Sequence, residues 1–158
     1  MHPSKKYPRG FEHRTRVAFD QMETVPQTAG VYVWKFDGVD GLEHWTYHYV
    51  GKASNLHADL AAQVSSHSKK SVLRQKLAAL LQLPAKRGLF GGISMKADTE
   101  ARLSEWMRTH GSCWFYETRS LGSYERAWIK GLQAPMNCER GSDPLGLKTL
   151  HASLGRRR

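Results

Sequence analysis

Gly30-Val-Tyr-Val-Trp-Lys-Phe36 and Trp45-Thr-Tyr-His-Tyr-Val-Gly51, separated by Asp37-Gly-Val-Asp-Gly41, decide how this chain is read. The outer runs are rich in β-branched and aromatic residues, and the segment between them has turn composition. A hairpin follows. Asn55 can cap a helix running to about Val64. Ser71 can cap another, in which Leu73, Leu77, Leu80 and Leu81 recur at helical spacing until Pro84. A glycine-bearing loop, Lys86 to Gly92, leads to a helix opened by Asp98 or Thr99. That helix carries Leu103, Trp106 and Met107 on one side and ends at Gly111. Ser112-Cys-Trp-Phe-Tyr-Glu-Thr118 reads as a third strand, and Ser123 as the cap of a helix to about Leu132, ahead of Pro135.

The order β-β-α-α-α-β-α makes an α+β fold the economical architecture, a small three-stranded antiparallel sheet flanked by helices. Residues 1–26 hold Lys5, Lys6, Arg9, Arg14 and Arg16 with Pro3, Pro8 and Pro26, and read as a basic N-terminal arm. Residues 27–140 form the domain, and 141–158 a basic tail ending in Arg156, Arg157 and Arg158.

Lys and Arg number 24 against 14 Asp and Glu, a formal charge of +10 that draws polyanions. From Leu60 to Ala97 there is no acidic residue, while Lys69, Lys70, Arg74, Lys76, Lys86, Arg87 and Lys96 fall in that window. This stretch predicts a phosphate-facing surface rather than merely a solvated one, with sequence-independent, salt-sensitive affinity. No apolar run of membrane length or secretory stretch occurs, so no membrane partner and a cytoplasmic location are expected. Cys113 and Cys138 lack metal-ligand spacing and read as reduced structural thiols.

Gly30-Val31-Tyr32 followed by Tyr49-Val50-Gly51-Lys52 and Asn55-Leu56 resembles the paired tripeptides that name the GIY-YIG nucleases. The likeness continues through Glu125 to Asn137. It is closest to small stand-alone or restriction-enzyme-like members. The resemblance implies an endonuclease that hydrolyses DNA phosphodiester bonds, duplex or branched, with Mg2+ or Mn2+, as a monomer or homodimer. It implies roles too. Tyr32 would activate or orient water, Tyr49 and Lys52 would support that tyrosine and the phosphate, Glu125 would hold the metal through oxygen, and Asn137 would brace the site. Both hydroxyls are then expected in the same cleft as Glu125.

Each residue has a plainer reading. Strand tyrosines pack across hairpins, and Asn137 after Pro135 is by default a turn residue. A carboxylate in a first helical turn, where Glu125 is expected, is favoured by the helix dipole whether or not it binds metal. Ile129 and Leu132 nonetheless put Glu125 on an apolar, inward stripe.

One position departs from the family pattern. The arginine expected ten residues beyond Tyr49 is Asp59, preceded by His57. Arg74 is the best substitute from sequence and His57 a weaker one; Asp59 reads as a solvated helix residue more readily than as a second metal ligand. The competing expectation is therefore a non-catalytic nucleic-acid-binding module on the same fold. A third is an interaction protein using Trp106, Trp114 and Trp128.

Overall fold

The computed structural model describes residues 6–65, 68, 71–87, 93–138 and 143–154. In chain order the elements are β1 (Thr15–Arg16), β2 (Gly30–Phe36), β3 (Tyr49–Ala53), α1 (Leu56–Gln63), α2 (Val72–Leu80), β4 (Lys86–Arg87), β5 (Ile93–Ser94), α3 (Ala97–His110), β6 (Gly111–Glu117), α4 (Leu121–Leu132) and α5 (Leu147–Ser153). The main sheet is antiparallel in the order β1-β6-β2-β3, and β4 pairs with β5 in a small ribbon. Four strands thus stand where three are expected. The fourth, β1, is two residues long, too short for any alternation to be read from sequence.

The predicted caps form at two helices. Asn55 Oδ1 accepts from Ala58 N at 3.0 Å, and Ser71 Oγ from Arg74 N at 3.2 Å. At α4 the expectation fails: the helix begins at Leu121, so Ser123 lies inside it and Glu125 stands beyond the first turn. The dipole argument for Glu125 weakens accordingly.

Alternation along the strands splits the core in two. Tyr32, Trp34, Phe36, Cys113 and Phe115 pack with Leu56, Leu60, Leu73, Leu77, Leu103 and Met107 from α1, α2 and α3. Val31, Val33 and Val50 face the other way, against Trp128 of α4 and Phe11. Phe11 and Trp128 are fully buried, their rings 5.2 Å apart edge to face. The segment read as an arm is therefore built into the domain around Phe11 and β1. At the other end, α5 packs on α2 and buries Leu147, so the stretch read as a tail carries a packed helix.

The second strand starts later than its composition suggests. His48 is buried in the loop before β3, where Nδ1 accepts the Phe36 N–H at 2.9 Å and Nε2 donates to the carbonyls of Leu42 (3.1 Å) and Trp45 (3.0 Å). This network fixes the neutral tautomer. Burial pushes the His48 pKa down and Lys35 adds to the effect, while the two carbonyls and Asp37 oppose it. A depressed histidine pKa means the unfolded chain binds the proton first. The stabilisation is complete above about pH 6.5, the ordinary histidine value, and is lost as pH falls toward the folded pKa. Thermal unfolding followed from pH 7 down to pH 5 should show a falling Tm, and His48→Gln, less stable at pH 7, should show a shallower fall. An identical slope in both proteins would rule the histidine out as its source.

Candidate active site

Tyr32 lies opposite Gly51, and Trp34 opposite Tyr49, so both tyrosines project to the sheet face covered by α1, α2 and α3. Gly51 makes this arrangement possible: a Cβ there would fall inside the Tyr32 ring. The ring instead crosses β3, and its hydroxyl reaches α1. Gly30 has a related reason, since a Cβ would strike the Leu56 side chain and the Tyr116 carbonyl.

A buried hydrogen-bond chain fixes that hydroxyl. Trp34 Nε1 donates to Gln63 Oε1 at 2.8 Å, which turns the amide so that Gln63 Nε2 donates to the Tyr32 hydroxyl at 2.6 Å. The oxygen accepts, so its proton is free to be given away, and the Asp59 carboxylate is near enough to influence it. Burial pushes the Tyr32 pKa well above the usual phenol value, and the charges of Tyr49 and Asp59 push it further. Burial also raises the Asp59 pKa, against the hydrogen bond from Tyr32. At neutral pH Tyr32 is a neutral donor rather than a phenolate. Gln63 was not singled out from sequence, although its place one turn beyond Asp59 was a usable signal.

Lys52 follows Gly51 by one residue, and in a strand one residue is a change of face. It lies opposite Val31 on the α4 side, where its Nζ is 3.7 Å from Glu125 Oε1. The Glu125 side chain is 11% exposed and that of Lys52 43%. The expectation that both hydroxyls and Glu125 share one cleft face is not met. The sheet separates the tyrosines from the Lys52–Glu125 pair, and because β3 is an end strand the two sets can meet only around its edge. Asn137 stands on that edge. Its Oδ1 accepts from Val50 N at 2.8 Å and its Nδ2 donates to Val50 O at 2.7 Å, replacing a missing strand partner.

The family model described as GIY-YIG catalytic domain matches residues 30–154. The chain belongs to the GIY-YIG nuclease family. No curated protein and no solved structure matches it with significance. The match begins on the GIY-like tripeptide and extends over α5, beyond the boundary expected at residue 140.

Against the GIY-YIG pattern, the missing arginine is not restored by Arg74. Its guanidinium is fully buried. Its nitrogens donate to Ser68 Oγ (3.0 Å), Gln63 O (2.9 Å), Ser104 Oγ (3.0 Å) and Glu100 O (3.0 Å), and it pairs with Glu100 Oε1 at 3.1 Å. Glu100 also accepts from Ser68 N (2.7 Å) and from the Ser68 hydroxyl. Burial lowers the Arg74 pKa, and Glu100 opposes the shift. This is an interior clamp joining α2 to α3, with no donor left for a phosphate. His57 is tied to Met22 O at 3.0 Å.

Of the basic window, Lys76 is interior as well as Arg74, while Lys86 and Lys96 are exposed. Lys76, expected on the surface, is buried; its Nζ donates to Met136 O at 2.6 Å and lies 5.3 Å above the Tyr49 ring. It brings a cation to the tyrosine face rather than to a surface. Arg87 is half-buried and donates to His151 O, whereas Lys86 is exposed. Lys69 and Lys70 lie outside the described residues.

Proposed function

We propose that this chain is a metal-dependent endonuclease that hydrolyses DNA phosphodiester bonds at one site wrapped around the edge of β3. The observation that carries the reading is the passage of Tyr32 over Gly51 toward the strand edge whose other face holds Lys52 and Glu125. Because β3 is an end strand, braced from outside by Asn137, residues of its opposite faces would meet at one phosphate around that edge.

Glu125 fits a hard divalent ion. Its carboxylate is buried on an inward helix face, and Mg2+ typically binds through one or two carboxylates while keeping waters and taking phosphate oxygens. Among the described residues no group of three or more His, Cys, Asp or Glu side chains that could hold a metal ion occurs, so Glu125 would be the protein's carboxylate ligand beside waters and phosphate oxygens. When bound, Mg2+ or Mn2+ would supply Lewis-acid stabilisation and an acidified water. Lys52, beside Glu125, would hold a non-bridging phosphate oxygen. Tyr49, with Lys76 above its ring, would orient the attacking water, and Tyr32 would donate a hydrogen bond to developing negative charge.

One observation favours a second reading, the non-catalytic DNA-binding module: Asp59 puts a carboxylate against Tyr32 where the family pattern has a cation. The assay that separates the two uses supercoiled plasmid and branched DNA with Mg2+, Mn2+ or chelator. The nuclease reading expects nicking with either ion and none with chelator. Binding without cutting under all three conditions would leave the module. Among the described residues no helix is long and apolar enough to cross a membrane.

A further inference from the structure

The Lys52–Glu125 side of the sheet carries two rows that run across it from the site, one over three strands and one over all four. Lys52, Val31 and Tyr116 lie opposite one another on β3, β2 and β6. In the next row are Val50, Val33, Trp114 and, on β1, Arg16. Directly opposed residues share a face, so these aromatic side chains stand on the same surface as Lys52. Helix α4 packs mainly over β2 and β3 and also reaches β6, where Trp128 meets Tyr116. At that end Tyr124, the residue before Glu125, meets Tyr116 with ring centroids 5.5 Å apart.

Three arginines sit on these rings. Arg9 lies 5.7 Å above Tyr124 and Arg16 lies 5.8 Å above Trp114. Arg14 lies 4.0 Å above Phe11 and 5.6 Å above both Tyr47 and Trp114. Arg14 donates to Phe11 O and to the Tyr47 hydroxyl, each at 2.9 Å, while its Nε is buried with no hydrogen-bond partner. None of the three is ion-paired among the described residues, where the pairs are Lys52–Glu125 and Arg74–Glu100. Uncompensated guanidinium groups on half-buried rings differ from a solvated charge run. They are planar and weakly hydrated, and they stand beside aromatic rings where a base can stack and a phosphate can be bound.

We propose that this surface, formed by Arg9, Arg14, Arg16, Trp114, Tyr116 and Tyr124, is a stacking platform for an unpaired nucleic-acid strand flanking the cut site. The proposal rests on the nuclease reading for its placement. Tyr116 is two strand spacings from Lys52, about 10 Å across the sheet, within reach of nucleotides next to the phosphate at Lys52. An unpaired strand is the occupant because rings gain from bases only when those bases are unstacked; a duplex would use the arginines alone.

The test is binding in chelator on a Glu125→Gln background, so that nothing is cut. Fluorescence anisotropy compares a labelled unpaired oligonucleotide with the same sequence as a duplex. Arg9 and Arg16 are exposed, so the double variant Arg9→Ala/Arg16→Ala leaves the core untouched. It should weaken unpaired-strand binding about tenfold and flatten the salt slope by about 1.4, at 0.7 per phosphate contact, with a smaller loss on duplex. Tryptophan emission should be quenched by the unpaired strand in the parent and much less in Trp114→Phe. Unchanged affinity in the double variant, equal losses on both DNA forms, or no Trp114-dependent quenching would overturn the platform. If the platform behaves as expected while the parent cuts neither plasmid nor branched DNA, the nuclease reading falls and the platform stands.

Discussion

Arg74→Ala should cost about 3–5 kcal/mol of stability, because it removes one partner of a buried ion pair and leaves Glu100 charged and enclosed. Domains of this kind hold about 5–15 kcal/mol in all, so the variant should be partly unfolded at physiological temperature. The loss is more than Coulombic. The guanidinium also donates to the carbonyls of Gln63 and Glu100 and to two serine hydroxyls, and each of those acceptors would lose a donor. Urea unfolding of parent and variant measures the effect. In the fraction that stays folded, DNA affinity should match the parent's. A variant as stable as the parent that has lost DNA cleavage would return Arg74 to the active site.

The second large effect belongs to Asp59. The charge of its carboxylate raises the Tyr32 pKa and so helps to keep that phenol protonated. Asp59→Asn removes the charge and should lower the Tyr32 pKa, visible in an ultraviolet absorbance titration. Asp59→Arg goes further, placing a cation beside the hydroxyl and supplying the contact that the family pattern expects. A charge-assisted contact to developing negative charge is worth about 3 kcal/mol, or roughly a hundredfold in rate, by analogy with lost oxyanion donors. Single-turnover cleavage should therefore rise far more than affinity, since the guanidinium acts on the transition state. A rate unchanged in Asp59→Arg, with the Tyr32 titration unmoved, would show that Asp59 does not act on Tyr32.

The parts of the fold that could be read from sequence are those written in local pattern. β2 and β3 announce themselves by β-branched and aromatic runs, and α1 and α2 by Asn55 and Ser71, whose side chains make the caps. β1 is invisible because two residues carry no period. The site was only half legible. The residue types around Tyr32, Tyr49, Lys52 and Glu125 are grouped by chemistry in the motif, but the single step from Gly51 to Lys52 sends them to opposite faces, a fact the strand period already contained. The place of Arg74 is hidden for a different reason. Its partner Glu100 lies 26 residues away, and no local pattern reports such a pairing. Counting charges between Leu60 and Ala97 likewise could not tell that Arg74 and Lys76 are interior.

A double-mutant cycle on cleavage tests whether the two faces meet as one active site around β3. Single-turnover rates on plasmid with Mg2+ or Mn2+ are compared for the parent, Tyr32→Phe, Glu125→Gln and the double variant. If the residues serve one site, each single change removes most of the rate and the double loses little more, as groups acting together on one transition state are grossly non-additive. Losses that multiply would place Tyr32 and Glu125 in separate roles, and a parent that binds DNA but never cuts it would contradict the account outright.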